Sequence, residues 1–249
     1  MPYSPYKFFE THDGTTKPFN QRDIRNNNLI TRPSCNGFLL KWIKMNLNGE
    51  KSYFDSSFLN NSNLIFSQQH IDFKKQIGDA EQFQKLAPTD IELRKCLQAM
   101  AFQPQLFKNK LDGNNLIKFV VEWIESIEKV TQQKASSQLM YIVGECRTTT
   151  KDRDEHPGVH AFGIYFDVDV NEIKWFEANR GEVAFKHPKN FIAWLQHEFD
   201  QGELKVLNKR HKIQEDEYRQ YISFEAYTFI GIPHCQPERQ LEHLPQARL

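Results

Sequence analysis

A thiol, an imidazole and an acid/amide pair occur in that order along the chain, in Ser34-Cys35-Asn36-Gly37-Phe38, Val159-His160-Ala161-Phe162 and Phe176-Glu177-Ala178-Asn179-Arg180-Gly181. These are the parts of covalent catalysis by cysteine: a nucleophile, a base that takes its proton and a group that aims the base. Cys35 opens an apolar, helix-periodic stretch, which predicts the first turn of a helix. Unpaired backbone N–H groups and the helix dipole favour a thiolate there. The same N–H groups, those of Cys35 and Asn36, can hold an oxyanion beside the sulfur. Gly37 leaves space close to the nucleophile. The competing reading of Cys35 is an ordinary buried cysteine, a common fate of free thiols.

His160 begins a strand-like run, which puts its ring at the end of a sheet. His156 lies four residues earlier, a metal-pair spacing, but Pro157 and Gly158 between them disfavour the helix such a pair prefers. His160–Phe166 and Glu172–Ala178 read as a β-hairpin with its turn near Asp169–Val170. In that register Asn179 lies across from His160, with Glu177 diagonal to it on the same face. Either one can hold the imidazole. The other cysteines lack such company: Cys96 lies on a helical stripe, Cys146 follows a strand, and Cys235 sits in a Pro-bounded loop.

The elements that must position these groups are of two kinds. Helices are expected over 35–47, with Ser34 as N-cap and Asn48-Gly49 as stop, and over 68–86, 89–101 and 114–130. Thr89 with Glu92 makes a capping-box pattern, and Pro104 and Asp112-Gly113 read as turns between helices. Strands are expected over 139–143, in the hairpin, and over 204–207 and 221–232, with a helix from Pro188 to Phe199. Helices first and antiparallel strands later is an α+β order. Residues 1–33 are polar and carry four prolines, so they read as a mostly irregular arm. One domain is expected over 34–235, with a loose tail over 236–249.

The 249 residues carry 32 basic and 32 acidic side chains, so no net field points to nucleic acid or an anionic membrane surface. The 20 phenylalanines supply an aromatic core. No apolar run suits a membrane span, no basic-then-apolar start resembles a Sec-type signal, and four scattered cysteines suggest a reducing environment.

The segments "SCNGFLLKWI", "HAFGIYFD" and "WFEANRGEVAF" resemble the YopT-like cysteine proteases, papain-fold effectors that bacteria deliver into eukaryotic cells. That family shows a Cys-x-Gly segment ending in Trp, a His-Ala strand start and an Asp-x-Asn-x-Gly-Glu segment. The matching positions here are Cys35, Gly37 and Trp42; His160 and Ala161; and Glu177, Asn179, Gly181 and Glu182. The resemblance implies a papain-like fold and a cysteine protease with Cys35, His160 and Glu177 as the triad. It further implies a host protein as substrate, no cofactor, and delivery into the host cytoplasm by a specialised secretion system. Glu177 stands where the family has Asp, so the orienting role falls to Glu177 or to Asn179. A papain-like side-chain oxyanion donor shortly before the nucleophile has Asn28 as its one weak candidate. The same Cys-His site also serves transglutaminases, deamidases and acyltransferases, and a pseudo-enzyme that only binds a host protein could retain it.

Overall fold

A computed structural model describes residues 13–19, 21, 24, 30, 34–49, 68–87, 89–100, 102–130, 137–149, 155–200, 204, 211–214 and 217–231. Asn28, Cys235 and the expected tail over 236–249 lie outside these residues. The elements run β1 (Gly14–Pro18), α1 (Cys35–Leu47), α2 (Gln68–Leu86), α3 (Asp90–Ala99), β2 (Phe102–Leu111) and α4 (Gly113–Val130). There follow β3 (Gln138–Thr149), β4 (Glu155–Asp167), β5 (Glu172–Glu177), β6 (Gly181–Phe185), α5 (Pro188–Asp200), β7 (His211–Gln214) and β8 (Glu217–Gly231). The strands form one antiparallel sheet of order β1-β6-β5-β4-β3-β8-β2, with β7 added on β8. The fold is α+β, with helices dominating the first half and strands the second.

Helices cover both faces of this sheet. Alternate residues Leu139, Tyr141, Val143, Ala161, Tyr165 and Phe176 pack with α1, α2 and α3. Their neighbours Met140, Ile142, Phe162, Ile164, Phe166 and Trp175 pack with α4 and α5. A strand buried on both sides has no polar alternation, which is why Leu139–Val143 reads as an unbroken apolar run. The apolar stripe of α4 follows from its single buried face: Leu116, Val120, Trp123, Ile124 and Ile127 are all buried.

Three segments depart from the secondary structure expected of them. Gly14–Pro18, expected in an irregular arm, pairs with β6 from Gly14↔Phe185 to Pro18↔Gly181. Five residues ending in proline carry no periodicity of their own; tertiary pairing at a sheet edge makes the strand, and an edge is where proline is tolerated. Phe102–Leu111, read as a connection because of Pro104, is likewise an edge strand, with register shifts on β8 after Pro104 and Lys108. Leu204, expected in a strand, is a buried residue in a 3₁₀ turn.

Two glycines set how closely α1 can approach its neighbours. A Cβ on Gly37 would lie 2.0 Å from the Ala80 carbonyl oxygen and 2.9 Å from the Gln84 backbone nitrogen. The room beside Gly37 is therefore filled by α2 and is not open to a ligand. A Cβ on Gly163 would lie 2.4 Å from Leu39 Cδ1, so this glycine seats α1 on β4. Gly37→Ala must push two helix backbones apart. We expect a loss of about 1–3 kcal/mol, the usual cost of overpacking, seen as a lower urea midpoint at unchanged m-value; an unchanged midpoint would contradict this packing.

Candidate active site

Cys35 is the first residue of α1, and Ser34 stands at its cap position. The Ser34 side chain makes no capping hydrogen bond, contrary to expectation. The Gly37 N–H is instead satisfied by Gln84 Oε1 of α2 at 3.0 Å, and the Phe38 N–H by the Ser34 carbonyl at 2.9 Å. The helix stops at Asn48 and at Gly49, whose φ of 63° is the left-handed conformation that glycine adopts freely. On the flank of α1, Trp42 Nε1–H donates to Glu182 Oε2 at 2.6 Å, and the Trp42 ring stacks on Phe176 at 5.3 Å. Lys17 Nζ of β1 lies 3.2 Å from the other oxygen of Glu182. Trp42 and Glu182 thus tie α1, which begins at Cys35, to the strand that follows the acid segment.

His160 is not at the end of its strand, since β4 starts at Glu155 and His160 pairs with Gly144 of β3. It lies where the other ladder stops. The β4–β5 register runs from Asp167↔Glu172 to Phe162↔Glu177, which places Asn179 across from His160 on extrapolation, as expected. There the chain turns through Ala178–Arg180, closed by an Arg180 N–H to Glu177 carbonyl bond of 3.0 Å, and reverses at Gly181 with φ 98°. Because β5 leaves at Glu177, β4 has no β5 partner at Ala161, whose backbone is hydrogen-bonded to Cys35 instead.

The three expected groups meet. His160 Nε2 is 2.7 Å from Glu177 Oε1, and both residues are buried. The imidazole is also hydrogen-bonded to the Cys35 thiol; with Nε2 facing Glu177, Nδ1 is the nitrogen left for sulfur. Phe162 supports the ring edge-on at 4.8 Å. Glu177 Oε2 receives Arg180 Nε at 2.9 Å. Asn179 Nδ2 is 3.3 Å from His160 Nε2, and Asn179 also hydrogen-bonds the Glu177 carboxylate.

Burial alone would oppose every charge in this line, and the partners overcome it. Burial would raise the Cys35 thiol. The hydrogen bond and charge of His160, with the backbone groups of Ala161 and Asn36, hold it below its ordinary value. Burial would lower His160, but hydrogen bonds to Cys35 and Glu177 and the charges of both raise it to about 9. Burial would raise Glu177; His160, Arg180 and Asn179 bring it down to about 2. The set favours a thiolate, an imidazolium and a carboxylate together. Cys96 provides the contrast: burial and the nearby Glu92 charge push its thiol up.

Gln21 and Arg180 are parts of this site that sequence reasoning did not single out for a role. Arg180 carries a local signal, a cation three residues after the acid. Gln21 carries none: it is one polar residue in a polar arm, brought to the site only by β1 pairing. His156 shares β4 with His160 at a separation of about 13 Å along an extended strand. Among the described residues no group of three His, Cys, Asp or Glu side chains is arranged to hold a metal ion, and no helix is long and apolar enough to cross a membrane.

No protein-family model and no curated protein matches this chain. Among solved structures, the crystal structure of the Pseudomonas avirulence protein AvrPphB aligns over 91% of this chain and 99% of that one, at 12% identity and a TM-score of 0.42.

Proposed function

We propose that this protein is a papain-like cysteine protease acting on a host protein, in the manner of the YopT-like effectors its motifs resemble. The observation that carries the proposal is the line from half-buried Cys35 to buried His160 and Glu177, in which the imidazole is hydrogen-bonded to a thiol on one side and a carboxylate on the other. In this reading Cys35 holds its proton on His160 before substrate arrives. The thiolate attacks a peptide carbonyl, forming the C–S bond, and the carbonyl electron pair becomes an oxyanion. The backbone N–H of Cys35 receives that oxyanion, while the Asn36 N–H is engaged with the sulfur. His160 then protonates the leaving amine as the C–N bond breaks. Water, giving its proton to His160, hydrolyses the thioester and restores the thiolate. Glu177 accepts the Nε2–H throughout and stabilises the imidazolium.

The non-catalytic alternative needs Cys35 to be an inert buried thiol, which a hydrogen-bonded imidazolium partner does not favour. Transamidation shares every step up to the thioester. Two measurements decide. At pH 6, where an ordinary thiol is less than about 1% ionised, iodoacetamide is expected to alkylate Cys35 at least about tenfold faster than Cys96. Equal rates would remove the enzyme reading. Intact masses of a treated protein target are then expected to show two fragments. A shift of about 1 Da or an added amine in place of fragments would assign deamidation or transamidation, since these differ only in what resolves the thioester.

A further inference from the structure

We propose that Gln21 is a positioning residue that sets the direction of the Asn179 amide and so makes Glu177, not Asn179, the acceptor of the His160 proton. The inference rests on the catalytic reading of Cys35 and His160. Its starting point is a donor that cannot be reversed: the backbone N–H of Ser34, immediately before the nucleophile, donates to Gln21 Oε1 at 3.1 Å. With its oxygen so used, Gln21 presents Nε2 to Asn179 Oδ1 at 3.0 Å. Asn179, with its oxygen committed, presents Nδ2 to His160 Nε2 and to the Glu177 carboxylate. Two N–H groups cannot bond each other. The His160 Nε2–H is therefore given to Glu177 Oε1, and Asn179 serves as a donor to that carboxylate.

Gln21 is built for this. It is buried, its own N–H donates to the Ala178 carbonyl at 2.8 Å, and Phe19 donates its N–H to the Arg180 carbonyl at 3.3 Å. The segment after β1 thus runs along the 178–180 turn. Phe19 is in turn packed on Phe38 of α1 at 5.0 Å. Gln21 joins the start of the nucleophile helix to the turn that carries the acid, and it transmits one fixed polarity between them.

The polarity can be inverted. In Gln21→Glu the introduced carboxylate still accepts the Ser34 N–H but cannot donate to Asn179. The Asn179 amide is then expected to rotate, giving its N–H₂ to that carboxylate and its oxygen to the His160 Nε2–H. This harms a site that already has Glu177 and helps one that lacks it. With Glu177 present, Gln21→Glu is expected to lower both peptide hydrolysis and Cys35 alkylation at pH 6 several-fold. In the Glu177→Ala background the same change is expected to raise both by about tenfold, a fraction of what general acid–base catalysis contributes. The gain must vanish when Asn179→Ala is added. A fall in both backgrounds, or a gain that survives Asn179→Ala, overturns the relay. Should Gln21→Glu fail to fold, Gln21→Leu decides instead: it releases Asn179 to rotate, so a gain in the Glu177→Ala background supports the relay and a loss overturns it. If Cys35 of the unmodified protein is no faster than Cys96, the catalytic reading fails and the relay with it; fast Cys35 without the reversal of sign removes the relay alone.

Discussion

Cys35→Ala and His160→Ala are each expected to lower kcat/KM on a cleaved protein by about 10⁴-fold or more, and the double variant by little more than either alone. Free energies of independent groups add; those of groups that work as one unit do not. Here His160 favours the Cys35 thiolate by hydrogen bond and charge, and Cys35 and Glu177 in turn favour the charged imidazole. Without His160, burial dominates at Cys35, and the sulfur returns to a protonated, poorly nucleophilic state. Without Cys35, the imidazolium has nothing to transfer its proton for. Circular dichroism and the urea midpoint of each variant separate loss of chemistry from loss of fold. Full activity in Cys35→Ala would remove the thiol from the mechanism, and simple multiplication of the two losses would show that the residues act separately.

Glu177→Ala is expected to lower kcat/KM by about 10²–10⁴-fold at pH 8, in the range seen when a triad loses the acid that orients its histidine. The Gln21 relay keeps the Asn179 oxygen turned away from His160, so no second acceptor is in place. The variant should also change the pH profile. In the unmodified protein the ion-pair form lies between the lowered Cys35 value and His160 at about 9, so the alkaline limb is expected near pH 9. Loss of the Glu177 hydrogen bond and charge takes away two of the causes that raise His160, and the limb moves to lower pH. Stability follows by linkage. His160 is raised above its unfolded 6.5, so its contribution is complete below that pH and is lost as pH rises through about 9. Glu177 is lowered below its unfolded 4.5, so its contribution is present above that pH and is lost as pH falls toward about 2. Urea midpoints across this range should show both losses in the unmodified protein and neither at full size in Glu177→Ala. An alkaline limb that does not move would mean that Glu177 does not govern the ring.

The positions of the candidate site were legible because each is coupled to a local pattern. Cys35 precedes a helical apolar stripe, and helix geometry alone puts it at an N-terminus. The hairpin turn at 169–170 sets a register, and strand periodicity then delivers residues 177 and 179 to the His160 end of the ladder. Trp42 and Glu182, matched to a family pattern without a physical reason, turn out to be hydrogen-bonded across 140 positions of sequence.

What could not be read was long-range or conditional. β1 and β2 are strands because a sheet edge receives them, not because five or ten residues around a proline prefer to be extended. Ser34 has the residue type of a cap, yet Gln84, 47 positions beyond Gly37, supplies the bond. The choice between Glu177 and Asn179 turns on which way one amide points, and an amide's direction has no trace in sequence. The sequence by itself determined the chemistry available, the helix start for Cys35 and the strand register for His160 and its partners, since these follow from local periodicity. Only the tertiary structure decided which neighbour takes the imidazole proton, because that depends on a hydrogen-bond chain from Ser34 through Gln21 to Asn179 whose members meet only when β1 has docked on β6.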